Sequence, residues 1–223
     1  MRALFARELR ALGPILERTF GNFGLLLSPC VDAREILPGH KLGTLVQVRP
    51  IRTGILEGDA RCMDTELPFA SDSINAVIAQ HAFEHNVAVE ENVAELARIL
   101  APEGLAMIFG FNPLSTWRPW LELHRRRSDV PLRLRSAHAW RKLLLREYID
   151  TVQVSFPGVL LPRAQLPDSC RDDASPRGAQ LGSSWLLLAR KRRSALTPLR
   201  QPARTRDVAL RPRLVPGTQR DCA

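Results

Sequence analysis

Residues 58–113 read GDARCMDTELPFASDSINAVIAQHAFEHNVAVEENVAELARILAPEGLAMIFGFNP. Three elements follow from this stretch. Ile74–Gln80 (INAVIAQ) is an apolar run of strand length. Val93, Leu96, Ile99 and Leu100 recur at helical spacing, so 89–100 is expected to be a helix with one buried face. Pro102-Glu103-Gly104 is a turn, and Leu105–Phe109 (LAMIF) is a second buried strand. A strand, a helix and a strand in this order form the unit of a parallel sheet.

Outward from this unit the pattern continues. Leu4, Phe5, Leu9, Leu12, Ile15 and Leu16 give residues 2–19 a helical stripe, which Pro14 is expected to split. Gly21 and Gly24 punctuate the chain before a short strand at Leu25–Leu27, stopped by Pro29. Thr44–Val48 alternates and is a second strand ended by Pro50, and Ile55–Glu57 is a weak third. Leu67–Ser71 is a loop. Towards the other end, residues 136–147 form a basic helix with Trp140, Leu143 and Leu144 inward, and Val152–Phe156 and Trp185–Ala189 are two further strands. Residues 162–183 read as a surface loop. The expected fold is α/β, with a mostly parallel sheet and an antiparallel pair at the end. The expected organisation is an N-terminal helix over 1–20, a domain over 21–193 and a disordered basic tail over 194–223.

The chain has 223 residues, 45% hydrophobic and 25% charged, which excludes a wholly disordered chain or a rod. The net charge is +9, and all but three of the 32 basic residues are arginine. Six arginines stand against two aspartates after Arg193, so the tail is a candidate for nucleic acid or simply a solvated segment. The four cysteines (Cys30, Cys62, Cys170 and Cys222) show no metal-binding spacing. No run of about 18 apolar residues suggests a membrane span. No signal or transit peptide is legible, and a cytoplasmic location is expected.

In an open parallel sheet, ligands bind at the carboxyl ends of the strands. The residues just beyond those ends are Ser28, Pro29 and Cys30; Arg49 and Pro50; Asp59 and Ala60; His81, Glu84 and His85; and Gly110, Asn112 and Pro113. Gln80 closes the fourth strand. His81-Ala82-Phe83-Glu84-His85 also fits H-x-x-E-H, a zinc-hydrolase pattern that needs both histidines on one helical face. Here it follows a strand directly, so no metal ligand is assigned, and Glu84 reads as a helix-start cap or surface pair. Asp59 and Asn112 have turn readings as well. Trp117, Trp120, Arg118 and Arg125 to Arg127 suit either a nucleic-acid platform or an amphipathic cover, and the cover is favoured.

The same residues resemble class I S-adenosylmethionine-dependent methyltransferases of the type 11 group. The matching landmarks are Asp59, Leu67-Pro68-Phe69, Asp72, the INAVIAQ strand, His81-Ala82-Phe83-Glu84-His85, Arg98 to Gly104 and LAMIF. Gly110 to Ser115 (GFNPLS) resembles a proteobacterial subgroup. The resemblance implies a Rossmann-like, seven-stranded sheet whose final strand is antiparallel. It implies S-adenosylmethionine as cofactor, an adenine contact from Asp59 and the backbone of Ala60, and flanking of the methionine part by Gln80 and His81. Asn112 and Ser115 would face the acceptor, which the sequence does not name. Three family features depart. The glycine-rich loop is replaced by Ser28-Pro29-Cys30, the second-strand acid by Arg49, and the aspartate that often starts the fourth strand by Asn75. The second reading is therefore an inactive relative kept as a binding module for RNA or an acidic partner.

Overall fold

A computed structural model describes residues 2–86, 88–125, 132–157 and 181–192. The tail, most of the 162–183 loop, Arg126, Arg127, Cys170 and Cys222 lie outside the described residues.

The N-terminal stripe divides as expected. Helix α1 (Arg2–Arg10) ends before a second, short helix α2 (Gly13–Leu16), which has Pro14 in its first turn. The missing N–H of proline costs nothing there. Strand β1 runs over Phe20–Leu27 and begins five residues earlier than its apolar run. The reason lies across the sheet. A Cβ at Gly21 would sit 2.3 Å from the Asn75 side chain, so glycine lets the backbone approach. The Asn75 carboxamide oxygen accepts from Asn22 N–H (2.9 Å) and Phe23 N–H (3.2 Å). A short helix α3 (Ala33–Ile36), without a sequence signal, precedes β2 (Lys41–Arg52).

β2 continues through Pro50. Its pairing with β1 ends at Val48, so the absent N–H falls beyond the shared ladder. Strand β3 (Ile55–Gly58) follows after Thr53-Gly54 alone, with Gly54 at φ +81°. Two residues cannot carry a parallel crossover, which needs about a dozen. β3 therefore runs antiparallel to β2, with Gly58 opposite Val48. A two-residue strand β4 (Cys62–Met63) then turns back beside it.

The remaining elements are β5 (Ile74–Gln80), α4 (Val89–Ile99), β6 (Leu100–Phe111), α5 (Arg118–Arg125), α6 (Ala137–Arg146), β7 (Ile149–Ser155) and β8 (Ser184–Lys191). The Pro102–Gly104 turn lies inside β6 as an irregularity, with Glu103 at φ +64°. Ser136 caps α6 by accepting from Ala139 N–H at 3.3 Å.

The sheet has eight strands in the order β4-β3-β2-β1-β5-β6-β8-β7. Six run in one direction, and β3 and β8 oppose them. The expected count of seven is exceeded by β4. Leu9, Leu12 and Leu16 pack with Leu26, Ala76, Ile78 and Met107 on one face. Val93, Leu96, Ile99, Trp140 and Leu144 pack with Leu25, Val77, Ala79 and Ile108 on the other. Burial of each leucine side chain contributes roughly 1.5–3 kcal/mol. Leu4, Phe111, Trp117 and Leu121 form a third cluster joining α1 to α5, so Trp117 belongs to the apolar cover.

Candidate functional site

β1 has β2 on one side and β5 on the other, both parallel to it. Strand order reverses there, and the crevice beyond the carboxyl ends is the expected ligand position. A cavity of about 310 Å3 occupies it. Pro29 follows β1, Pro50, Ile51 and Arg52 end β2, His81 and Glu84 follow β5, and Phe111 ends β6. Leu56, Asp64 and Asn86 line the wall near β3 and β4, and Phe5 closes the cavity from α1.

α1 also brings a buried carboxylate up behind His81. Leu4, Glu8, Leu9 and Leu12 share the buried stripe, and Glu8 is fully buried. Its oxygens lie 3.0 and 3.1 Å from His81 Nε2, and His81 Nδ1 lies 2.9 Å from Glu84 Oε1. Both ring nitrogens thus face carboxylates. Only an imidazolium has two N–H donors, so this arrangement holds His81 protonated. Burial pulls the His81 pKa down, but Glu8 and Glu84 together overcome it and raise it to about 10. The ring stacks on Phe111 with centroids 4.0 Å apart and tilts against Phe5 at 5.1 Å. His81 sits at φ +49°, a left-handed conformation that histidine tolerates better than most residues.

Gln80 completes this network. Its Nε2 donates to Glu8 Oε2 and to Phe5 O, both at 2.9 Å, and its Oε1 accepts from the Ser28 hydroxyl at 2.8 Å. Ser28 Oγ in turn accepts from Cys30 N–H at 3.1 Å. Where the type 11 pattern has glycines, serine and glutamine tie β1 to β5. Glu84 is neither a helix cap nor a surface pair: it is 7% exposed, and its carboxylate accepts from Phe111 N–H at 2.5 Å. Ala88 occupies the cap position of α4 and makes no side-chain cap bond.

Asp59 and Ala60 lie outside the cavity lining. β3 runs backward, so its end meets the flank of β2 rather than the carboxyl edge. The Asp59 carboxylate accepts from Gln47 N–H at 2.8 Å and pairs with Arg34. The Gln47 N–H and the Arg34 guanidinium hold its pKa below the ordinary value. Gln47 also donates to Cys30 O and Val31 O, closing the loop after β1 onto β2.

The chain regains the carboxyl edge through β4, which delivers Asp64. Asp64 is 8% exposed and lines the cavity. Its Oδ2 accepts from Asn86 Nδ2. Asn112 is buried beside the cavity wall at Phe111. Its Nδ2 donates to Gly182 O at 3.2 Å, and its Oδ1 accepts from Leu114 N–H at 3.1 Å. Ser115 Oγ and Trp117 Nε1 are buried with no hydrogen-bond partner among the described residues. Residues 81–86 are non-helical, and His81 and Glu84 are bonded to each other, so H-x-x-E-H does not present the zinc-hydrolase face. Among the described residues no group of three His, Cys, Asp or Glu side chains is arranged to hold a metal ion.

Glu8 and Asp64 were missed in the sequence, though each left a signal. Glu8 is a charge inside an apolar stripe. Asp64 precedes Leu67-Pro68-Phe69 by three residues.

Comparison with known proteins agrees with this architecture. The family model described as a methyltransferase domain matches residues 44–108. No curated protein matches the sequence. A SAM-dependent methyltransferase from Thermotoga maritima superposes with a TM-score of 0.55 at 14% identity, covering 86% of this chain and 90% of that one. Geranyl diphosphate C-methyltransferase from Streptomyces coelicolor, solved with Mg2+, geranyl diphosphate and S-adenosyl-L-homocysteine, gives 0.52 at 12% identity, covering 83% and 77%. A geranyl diphosphate methyltransferase solved with SAM gives 0.54 at 14% identity, covering 84% and 85%. This chain therefore has the Rossmann-like fold of the class I methyltransferases and carries the methyltransferase-domain sequence pattern over residues 44–108.

Proposed function

We propose that the chain is an S-adenosylmethionine-dependent methyltransferase whose cofactor lies in the crevice above β1, β2 and β5. The observation that carries this reading is the cavity at the point of strand reversal, with buried acids in its wall. Its volume lies at the lower end of the range of about 300–1,000 Å3 usual for ligand sites. Leu56, Ile51 and Pro50 offer an apolar slot, and Asp64 offers an acceptor for an amino or hydroxyl group. Ribose hydroxyls would find Pro50 and Ile51 rather than a carboxylate at the end of β2.

When bound, the cofactor supplies a methyl group on a sulfonium to an attacking nucleophile. The protein supplies binding, orientation and exclusion of water. Phe5 and Phe111 wall the floor, and Gln80 fixes the ends of β1 and β5. His81 is an imidazolium and serves as a hydrogen-bond donor, not as a proton acceptor. Asp64 is the acid placed to receive the adenosyl part, and Asp59 braces the flank. Gln80 acts as a positioning residue through Ser28 and Glu8. Asn112 shapes the turn at the acceptor side, and Ser115 offers its unsatisfied hydroxyl there.

The replacement of the glycine loop by Ser28-Pro29-Cys30 favours a second reading, a binding module without transfer activity. Calorimetric titration with S-adenosylhomocysteine separates the two. Micromolar binding, weakened about tenfold or more by Asp64→Ala and little by Asp59→Ala, is the expected result. No binding at millimolar ligand would overturn the cofactor reading and leave the binding module. A larger loss in Asp59→Ala would move the adenosyl part to the sheet flank.

A further inference from the structure

Helix α6 contains no acid, and its two faces differ in kind. Trp140 and Leu144 are buried in the core, with the Trp140 ring 5.5 Å from that of Phe83. His138, Arg141, Lys142, Leu145 and Arg146 are exposed on the opposite face. Spacings of three and four put them on one stripe, about 12 Å long at about 1.5 Å per residue. Arg146 has a local reason to be there. It stands in the last turn, where the helix dipole favours a cation, and pairs with Glu90 at 3.4 Å. That pair is exposed on both sides and contributes little. Arg141 and Lys142 stand in mid-helix, and neither makes an ion pair or hydrogen bond among the described residues. Along the chain the next carboxylates are Glu147, half-buried, and Asp150, paired with Arg192. Tyr148, two residues past the helix, is 73% exposed at φ +57°.

We propose that this face of α6 docks a single-stranded nucleic acid, with phosphates on Arg141, Lys142 and Arg146 and a base stacked on the Tyr148 ring. Cations that follow a backbone, with an aromatic ring beside them, are the elements of sequence-tolerant strand binding. A lipid surface fits less well, because an interfacial helix needs its apolar side free and that side of α6 is buried in the core. The approach to α6 also passes the crevice: Arg133 N–H donates to the carbonyl oxygen of Glu84, a cavity residue, at 2.7 Å. The surface is independent of methyl transfer and would serve an enzyme or a binding module.

The test is fluorescence anisotropy of the full chain with a labelled single-stranded RNA of about 20 nucleotides, over roughly 50–200 mM salt. Micromolar binding is expected. Removing two phosphate contacts with Arg141→Gln/Lys142→Gln should weaken it about tenfold at the low-salt end and lower the slope of log K against log salt by about 1.4. Tyr148→Asn, which suits the positive φ, should weaken binding with the slope unchanged. Arg211→Gln/Arg213→Gln removes the same charge from the tail and should cost clearly less. An equal or larger loss there would place the contact on the tail and overturn the assignment to α6. Equal affinity for a duplex of the same length, or no loss in Tyr148→Asn, would overturn the single-strand assignment. Binding to phosphatidylserine vesicles or polyglutamate and not to RNA would overturn the proposal as a whole. None of these outcomes bears on the S-adenosylhomocysteine titration, so the cofactor reading stands or falls separately.

Discussion

Glu8→Gln tests the buried trio directly. The substitution preserves size and removes one of the two carboxylates that hold His81. Breaking one partner of a buried ion pair costs about 3–5 kcal/mol. Glu84 still faces Nδ1, so the lower end, about 3 kcal/mol, is expected at neutral pH. The pH dependence gives a second, sharper readout. The folded pKa of His81 is raised from 6.5 to about 10. A group with a raised folded pKa contributes stability that is fully present below its unfolded pKa and lost as pH rises through its folded pKa. A rise from 6.5 to about 10, at about 1.4 kcal/mol per pH unit, corresponds to about 5 kcal/mol. Wild-type stability from His81 should therefore fall progressively between pH 6.5 and about 10. Urea unfolding across that window, on wild type and Glu8→Gln in parallel, isolates the trio from other groups that titrate there. The variant should start lower and show a clearly shallower fall. A variant within about 0.5 kcal/mol of wild type, or one with the wild-type pH profile, would refute the claim that Glu8 holds the imidazolium.

Two other perturbations probe what places the crevice. Gly110→Ala would put a Cβ 2.2 Å from the Trp185 ring, which is buried and fixed by its N–H bond to Arg135 O at 3.0 Å; thermal unfolding should show a loss of about 1–3 kcal/mol. Asn75→Ala removes the acceptor of two β1 amides, and a loss of about 1–3 kcal/mol in chemical denaturation is expected, with faster hydrogen exchange at Asn22 and Phe23. Unchanged exchange at those amides would mean that β1 does not depend on the carboxamide.

Sequence alone determined the elements that bury themselves by local pattern. INAVIAQ is a strand because five of its seven residues are apolar and need cover on both faces, and β5 has these bounds. Val93, Leu96 and Ile99 fix α4 because their spacing closes one helical face. The parallel core and the antiparallel end follow from alternation along the chain. The landmarks from Leu67 to Gly104 also sufficed to indicate the methyltransferase fold. Strand direction was decodable too, since Thr53-Gly54 is too short for a crossover, but only once β2 was known to continue through Pro50. That continuation depends on which neighbour each edge of β2 faces, and local sequence does not state it.

The candidate site belongs to the tertiary structure. The reversal of β3 sends Asp59 to the flank, and β4 returns Asp64 to the carboxyl edge. Glu8 meets Gln80 and His81 across more than 70 residues of sequence. No periodicity encodes such a contact. Glu8 is buried because Leu4, Leu9 and Leu12 carry its helix onto the sheet, and its charge is tolerated there because an imidazolium and an amide are waiting at the end of β5. Apolar patterning decides where a helix docks; only the docked geometry decides which charges then face one another.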